Sequence, residues 1–198
     1  MTEHATEIIF LLDRSGSMNT CASDTIGGYN SLLERQKREA GCAYVTTALF
    51  DNHYELLCEH VDIREAGSLS AKEYFARGST ALLDAIGLTI SRTARRQEEL
   101  GAATKTLMVI ITDGLDNMSR VYSIKTIYDM IHEREKLGWE FIFLGADMDS
   151  VRTAQSIGIS SEQAGNFTKE GILKKFEGIS GTVSHFRETG EINHDWMS

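Results

Sequence analysis

Ile8-Ile9-Phe10-Leu11-Leu12-Asp13-Arg14-Ser15-Gly16-Ser17 joins an unbroken run of large apolar residues to a carboxylate and two hydroxyls. A short continuous apolar run that stops at turn-forming residues fits a strand buried on both faces, as in a parallel sheet covered by helices. In such a sheet, ligands bind in the crevice beyond the carboxyl ends of the strands, where side chains from different loops converge. Asp13, Ser15 and Ser17 stand at such an end. Short Ser/Asp loops also build ordinary turns, so the meaning of this one depends on what the rest of the chain brings to it.

Two later segments bring matching groups. Arg77-Gly78-Ser79-Thr80 opens an amphipathic stretch, and Leu107-Met108-Val109-Ile110-Ile111-Thr112-Asp113-Gly114 is a second apolar run ending in Asp and Gly. Asp13, Ser15, Ser17, Thr80 and Asp113 then make a set of hard oxygen ligands. Mg²⁺ prefers octahedral oxygen coordination at about 2.1 Å and keeps several waters, which suits hydroxyls mixed with few carboxylates. Such a set leaves the cation underneutralised with a coordination position open, so an acidic group from a partner is attracted to it.

The order D-x-S-x-S after a first strand, G-S-T before a helix and T-D-G after a later strand resembles the von Willebrand factor A domain, over nearly the whole chain. The resemblance implies a metal-ion-dependent adhesion site (MIDAS). In it Ser15 and Ser17 would ligate the metal directly, and Thr80, Asp13 and Asp113 directly or through water. Mg²⁺ or Mn²⁺ is implied ahead of Ca²⁺. The implied function is binding to an Asp or Glu of a protein partner, in the manner of intracellular members that act with AAA-type ATPases or in multiprotein complexes. Arg14, Met18, Asn19, Arg77, Ser79, Leu115, Asp116 and Asn117 would form the contact rim.

The apolar segments alternate in period, as in βα units around a mostly parallel sheet. Strands are predicted at 7–12, 43–50, 54–61, 106–112 and 139–145, with a short one near 165–168. Only Asp51-Asn52-His53 separates the second from the third, too little for a parallel crossover, so these two should form an antiparallel hairpin. The predicted fold is therefore α/β: a Rossmann-like three-layer α/β/α arrangement whose mostly parallel six-stranded sheet carries one antiparallel edge strand. One domain is expected over 1–190, followed by a short tail, 191–198.

Helices follow the other period. Ile26, Tyr29, Leu32 and Leu33 mark a first, stopping near Gly41; Leu83, Ile86 and Ile90 mark a second opening at Thr80. Ser123 is placed to cap a third that ends near Gly138, and Asp149 a fourth that ends at Gly158. Ile172, Phe176, Ile179, Val183 and Phe186 line one face of a long last helix over 169–188, with Gly178 and Gly181 as packing positions. Ser70-Ala71-Lys72-Glu73 spells a capping box for a short helix. Arg92, Arg95, Arg96, Glu98 and Glu99 read as a solvated face with local ion pairs.

The formal charge of −9 and the lack of a long Lys/Arg cluster argue against nucleic acid as a partner. The first residues have neither a basic region nor a long apolar one, and no run reaches the length of a membrane span, so a cytoplasmic location without membrane attachment is expected. Cys21, Cys42 and Cys58 lack C-x-x-C spacing and read as reduced thiols, Cys21 as a loop thiol. No histidine stands in an H-x-x-H arrangement. No nucleophile elbow, P-loop or G-x-G-x-x-G follows a strand, so the chain is expected not to be an enzyme. The alternative is Mg²⁺-dependent phosphoryl transfer, as a phosphatase or nuclease, using Asp13 and neighbouring carboxylates, with Asp147 and Asp149 as further candidates.

Overall fold

The computed structural model describes residues 5–101, 104–146 and 148–197. The apolar run that opens the chain forms strand β1 (Thr6–Asp13), and all of its residues are buried. Its side chains alternate across the sheet. Ile8, Phe10 and Leu12 enter one core and Ile9 and Leu11 the other. Burying each of these side chains contributes about 1.5–3 kcal/mol, which explains why every position between Ile8 and Leu12 is apolar.

Five further strands complete one sheet: β2 (Ala43–Phe50), β3 (Tyr54–Asp62), β4 (Lys105–Thr112), β5 (Trp139–Gly145) and β6 (Ala164–Asn166). Their order is β3-β2-β1-β4-β5-β6. All neighbours run parallel except β3, which pairs antiparallel with β2 at the edge. This is the fold class expected from the sequence, including the single reversed strand that the short Asp51–His53 connection requires.

Helices cover both faces. α1 (Ala22–Lys37) and α5 (Ile172–Thr189) pack on the face of Phe10 and Leu12. α2 (Leu82–Leu100), α3 (Ile124–Glu135) and α4 (Met148–Ser156) lie on the side of Ile9 and Leu11. Among the described residues, no helix is long and apolar enough to cross a membrane.

Several predicted boundaries move. α1 stops at Lys37, and Gly41 (φ 88°) lies in the turn beyond it. α2 starts at Leu82 rather than Thr80, because the Thr80 backbone is engaged by another loop. Ser123 does cap α3, accepting from the Thr126 amide. Asp149 lies inside the first turn of α4 rather than before it. Ser70–Glu73 has the capping-box bonds, with the Ser70 amide donating to Glu73 at 3.0 Å, but closes only a single turn. Residues 169–171 precede α5 instead of opening it.

The arginine face of α2 also differs from expectation. Arg95 pairs locally with Glu99, but Arg92 reaches Glu59 on β3, and Arg96 pairs with the buried Glu7 of β1. The chain end packs onto α5: Trp196 is buried, and a Cβ on Gly178 would meet its Cα at 2.8 Å. Gly178 is thus a contact position for the segment after the helix.

Candidate metal centre

β1 and β4 are neighbours in the sheet, with Leu12 opposite Ile111. β1 leads into α1 on one face and β4 into α3 on the other, so the loops leaving their carboxyl ends diverge and leave a crevice. Asp13, the last residue of β1, is fully buried in it. Its two oxygens have different partners: Oδ1 accepts from the Ser15 amide at 2.6 Å, and Oδ2 from Thr112 Oγ1 at 2.5 Å. A short 3₁₀ helix, Gly16–Cys21, turns the chain back over the strand end. Ser15 Oγ lies 3.1 Å from Ser17 Oγ, and Ser17 Oγ donates to Asp113 Oδ1 at 2.6 Å.

Four of the five predicted ligands therefore form one continuous run, Asp13–Ser15–Ser17–Asp113. The outer oxygen of that run, Asp113 Oδ2, is buried and takes no hydrogen bond. The cation facing it is Lys169, whose Nζ stands 3.4 Å away.

Thr80 joins through the backbone. Gly16 donates to the Gly78 carbonyl at 3.2 Å and Arg77 to that of Arg14 at 2.9 Å, which straps the second loop to the first. Gly78 has φ +67°, a backbone conformation that favours glycine, and a Cβ there would also push the Asn52 side chain aside. The Thr80 amide donates to Asn117 Oδ1 at 2.9 Å, and its carbonyl accepts from the Asn117 and Met118 amides. Thr80 Oγ1 would lie 3.1 Å from a Cβ on Gly114, so its hydroxyl sits beside the Asp113–Gly114 segment. Among the described residues it makes no hydrogen bond to the other four.

Burial raises the Asp13 carboxyl from 3.8 to about 6, opposed by the bonds from Thr112 and Ser15 and reinforced by the nearby charge of Asp113. Two carboxylates and three hydroxyls converging where one carboxylate oxygen is orphaned fit a hard divalent cation. Among the described residues no group of three or more His, Cys, Asp or Glu is arranged to hold a metal ion, so this centre is dominated by hydroxyls rather than being a carboxylate or thiolate cage.

The surroundings correct several expectations. Arg14 and Met18, expected on the contact rim, are both buried. Arg14 Nε donates to Asp51 Oδ2 at 3.0 Å, and its guanidinium pairs with Glu55 at 2.7 Å. Arg77 joins the same Asp51 oxygen at 2.8 Å, and both guanidinium groups lie over the Phe75 ring. Burial raises the Asp51 carboxyl, but bonds from Arg77, the His53 amide and Arg14 prevail and hold it below its ordinary value. This cluster fastens the first two motif loops to the β2–β3 turn. Tyr74 adds a hydroxyl bond to the Asp13 carbonyl.

Asp116 is half-buried and accepts from the Leu83 amide at 3.2 Å, Asp84 accepts from the Arg120, Val121 and Tyr122 amides, and Asn117 stays exposed while its Oδ1 accepts from the Thr80 amide. Asn19, Arg77 and Leu115 remain exposed, and Ser79 is half-buried. Cys21 is buried at the end of the 3₁₀ helix rather than in an open loop, and burial followed by the charge of Asp113 raises its thiol. It is poorly suited to act as a nucleophile. Asp149 is exposed and pairs with Arg152. Asp147 lies outside the described residues.

Thr112, Tyr74, Asp51 and Lys169 escaped the sequence reading. Asp51 had a signal, since it directly follows a strand end on the same side of the sheet as Asp13. Lys169 had none, because only the packing of the β6–α5 connection brings it to the site.

No protein-family model matches the chain, and no curated protein matches it. Solved structures do. Proximal thread matrix protein 1 of the mussel byssus, in a structure with a zinc-occupied MIDAS motif, superimposes with TM-score 0.65 at 16% identity, over 91% of this chain and 46% of that one. The vWF domain of the type V pili tip protein Mfa5 of Porphyromonas gingivalis gives 0.65 at 9% identity, over 98% and 99%. Manganese-loaded TRAP protein of Plasmodium vivax gives 0.59 at 15%, over 86% and 71%. The chain spans about half the length of the mussel protein. It has the von Willebrand factor A fold.

Proposed function

We propose that this domain of the von Willebrand A fold binds a protein partner through a divalent cation held by Asp13, Ser15, Ser17, Thr80 and Asp113. The observation that carries the reading is the continuous run from Asp13 to Asp113, ending on a buried carboxylate oxygen without a hydrogen bond. Metal-occupied relatives of the fold support it, with zinc in the mussel protein and manganese in TRAP. Mg²⁺ or Mn²⁺ suits this oxygen donor set best.

When bound, the cation offers an electrophilic position for a partner's oxygen. The protein's own residues hold the hydroxyls and carboxylates in register, and the partner supplies an Asp or Glu side chain, as a component of an intracellular assembly such as one built around an AAA-type ATPase. Catalysis is not part of this reading. Among the described residues, only Asp13 and Asp113 approach one another here, while Asp51 and Asp116 are committed to Arg14, Arg77 and the α2 N-terminus.

Selection of a random peptide library on immobilised protein, in Mg²⁺ and in EDTA, tests the proposal. Acid-bearing peptides should be enriched in Mg²⁺, released by EDTA, and lost with Asp113→Ala. Metal-independent retention would refute the proposed mode, and metal-dependent phosphoester turnover would favour the enzymatic alternative.

A further inference from the structure

Lys169 lies between β6 and α5, 152 residues from Ser17 in the sequence, and its ammonium is lodged in the proposed centre. Nζ donates to the Ser17 carbonyl at 2.9 Å and stands 3.4 Å from Asp113 Oδ2, the oxygen that takes no hydrogen bond. It thus bridges the first and third motif loops. Asp113 is 1% exposed while Lys169 is 39% exposed, so the anion is fixed in the crevice and the cation reaches it from outside on a flexible stem.

We propose that Lys169 is a tethered counter-cation of the metal centre, which neutralises Asp113 in the metal-free protein and must leave before a divalent ion can bind. This rests on the metal-binding reading above and adds its regulation. Without an opposing charge, Asp13 and Asp113 would confront each other in a buried crevice, and Lys169 relieves that repulsion. A divalent ion on Asp113 would stand within a few ångströms of the ammonium, a range at which like charges repel even beside solvent. The two cations are therefore alternatives. The long, partly exposed stem makes the exchange reversible.

Two measurements on the whole chain test this. Calorimetric titration with Mg²⁺ and Mn²⁺ compares wild type with Lys169→Met, which keeps the stem without the charge, and Lys169→Arg, which keeps a cation. Removing a partly exposed competing charge should tighten metal binding about two- to fivefold, while Lys169→Arg stays near wild type. Amine-selective acetylation of wild type, read by mass spectrometry with the other lysines as reference, should show Lys169 becoming more reactive when metal is added. Unchanged or weaker affinity in Lys169→Met, or unchanged Lys169 labelling under metal saturation, would overturn the proposal. Binding by Lys169→Met where wild type binds none would support it strongly. Failure of both folded proteins to bind metal would instead remove the metal-centre reading, and this proposal with it.

Discussion

Ser17 donates a 2.6 Å hydrogen bond to Asp113, a residue 96 positions later in the chain. Through that bond the loop after β1 and the loop after β4 share one polar surface, with Asp13 at its inner end and Asp113 at its outer end. An oxygen set spread over distant segments is rigid only if the loops are tied together, and the Gly16–Gly78 and Thr80–Asn117 bonds provide those ties.

Ser17→Ala removes a hydroxyl from this surface without opening the core, since Ser17 is exposed. The fold should be kept and metal affinity should fall by at least about tenfold, in the range seen when groups that order a metal site are lost. Circular dichroism and calorimetry on the same sample check both halves; retained affinity would mean that Ser17 does not contribute to the site.

Asp13 should make metal-free protein less stable at neutral pH than in mild acid. Its folded-state pKa is raised from 3.8 to about 6, so between these values the folded protein holds a proton that the unfolded chain has released. Stability contributed by Asp13 therefore falls as pH rises through that window, by roughly 3 kcal/mol in all, and stays low above it. Asp13→Asn should be the more stable protein in metal-free urea titrations at pH 7.5, with the advantage gone near pH 4, while failing to bind metal.

Asp51 carries a different load. Asp51→Ala would leave the buried Arg14 with Glu55 as its remaining charged partner and cut the tie to Arg77. Breaking a buried ion pair from one side should cost about 3 kcal/mol. Because the motif loops hang on this cluster, metal affinity should fall as well, a loss that urea titration and calorimetry would register together.

Trp196→Ala should act on stability alone. The ring is buried against α5 and the Gly165 position, far along the chain from the motif loops, and its removal should cost about 3–5 kcal/mol. Metal affinity per folded molecule should be unchanged; a parallel loss of affinity would show that the chain end supports the centre.

The apolar runs of β1, β4 and β5 made the sheet legible, because a strand buried on both faces leaves no room for polar residues. The three-residue Asp51–His53 link made the reversed strand legible for steric reasons. The grouping of Asp13, Ser15, Ser17 and Asp113 was legible because these side chains stand at or just after the ends of β1 and β4, where short spacing fixes position. What sits around it was not. Arg14 looks like a surface residue until Asp51 and Glu55 are seen to neutralise it, and Met18 reads as rim until the 3₁₀ helix folds it inward. The α1 end was misplaced because Gly41 serves the following turn. Lys169 depends on how the β6–α5 connection packs, which no local pattern encodes.

The most direct test of the centre is calorimetric titration of metal-free protein with Mg²⁺ and Mn²⁺, alongside Asp13→Asn and Ser15→Ala. One cation per chain in wild type, with binding abolished or strongly weakened in both variants, is the expected result. Affinity in the variants equal to that of wild type, or no binding by wild type and Lys169→Met alike, would contradict it.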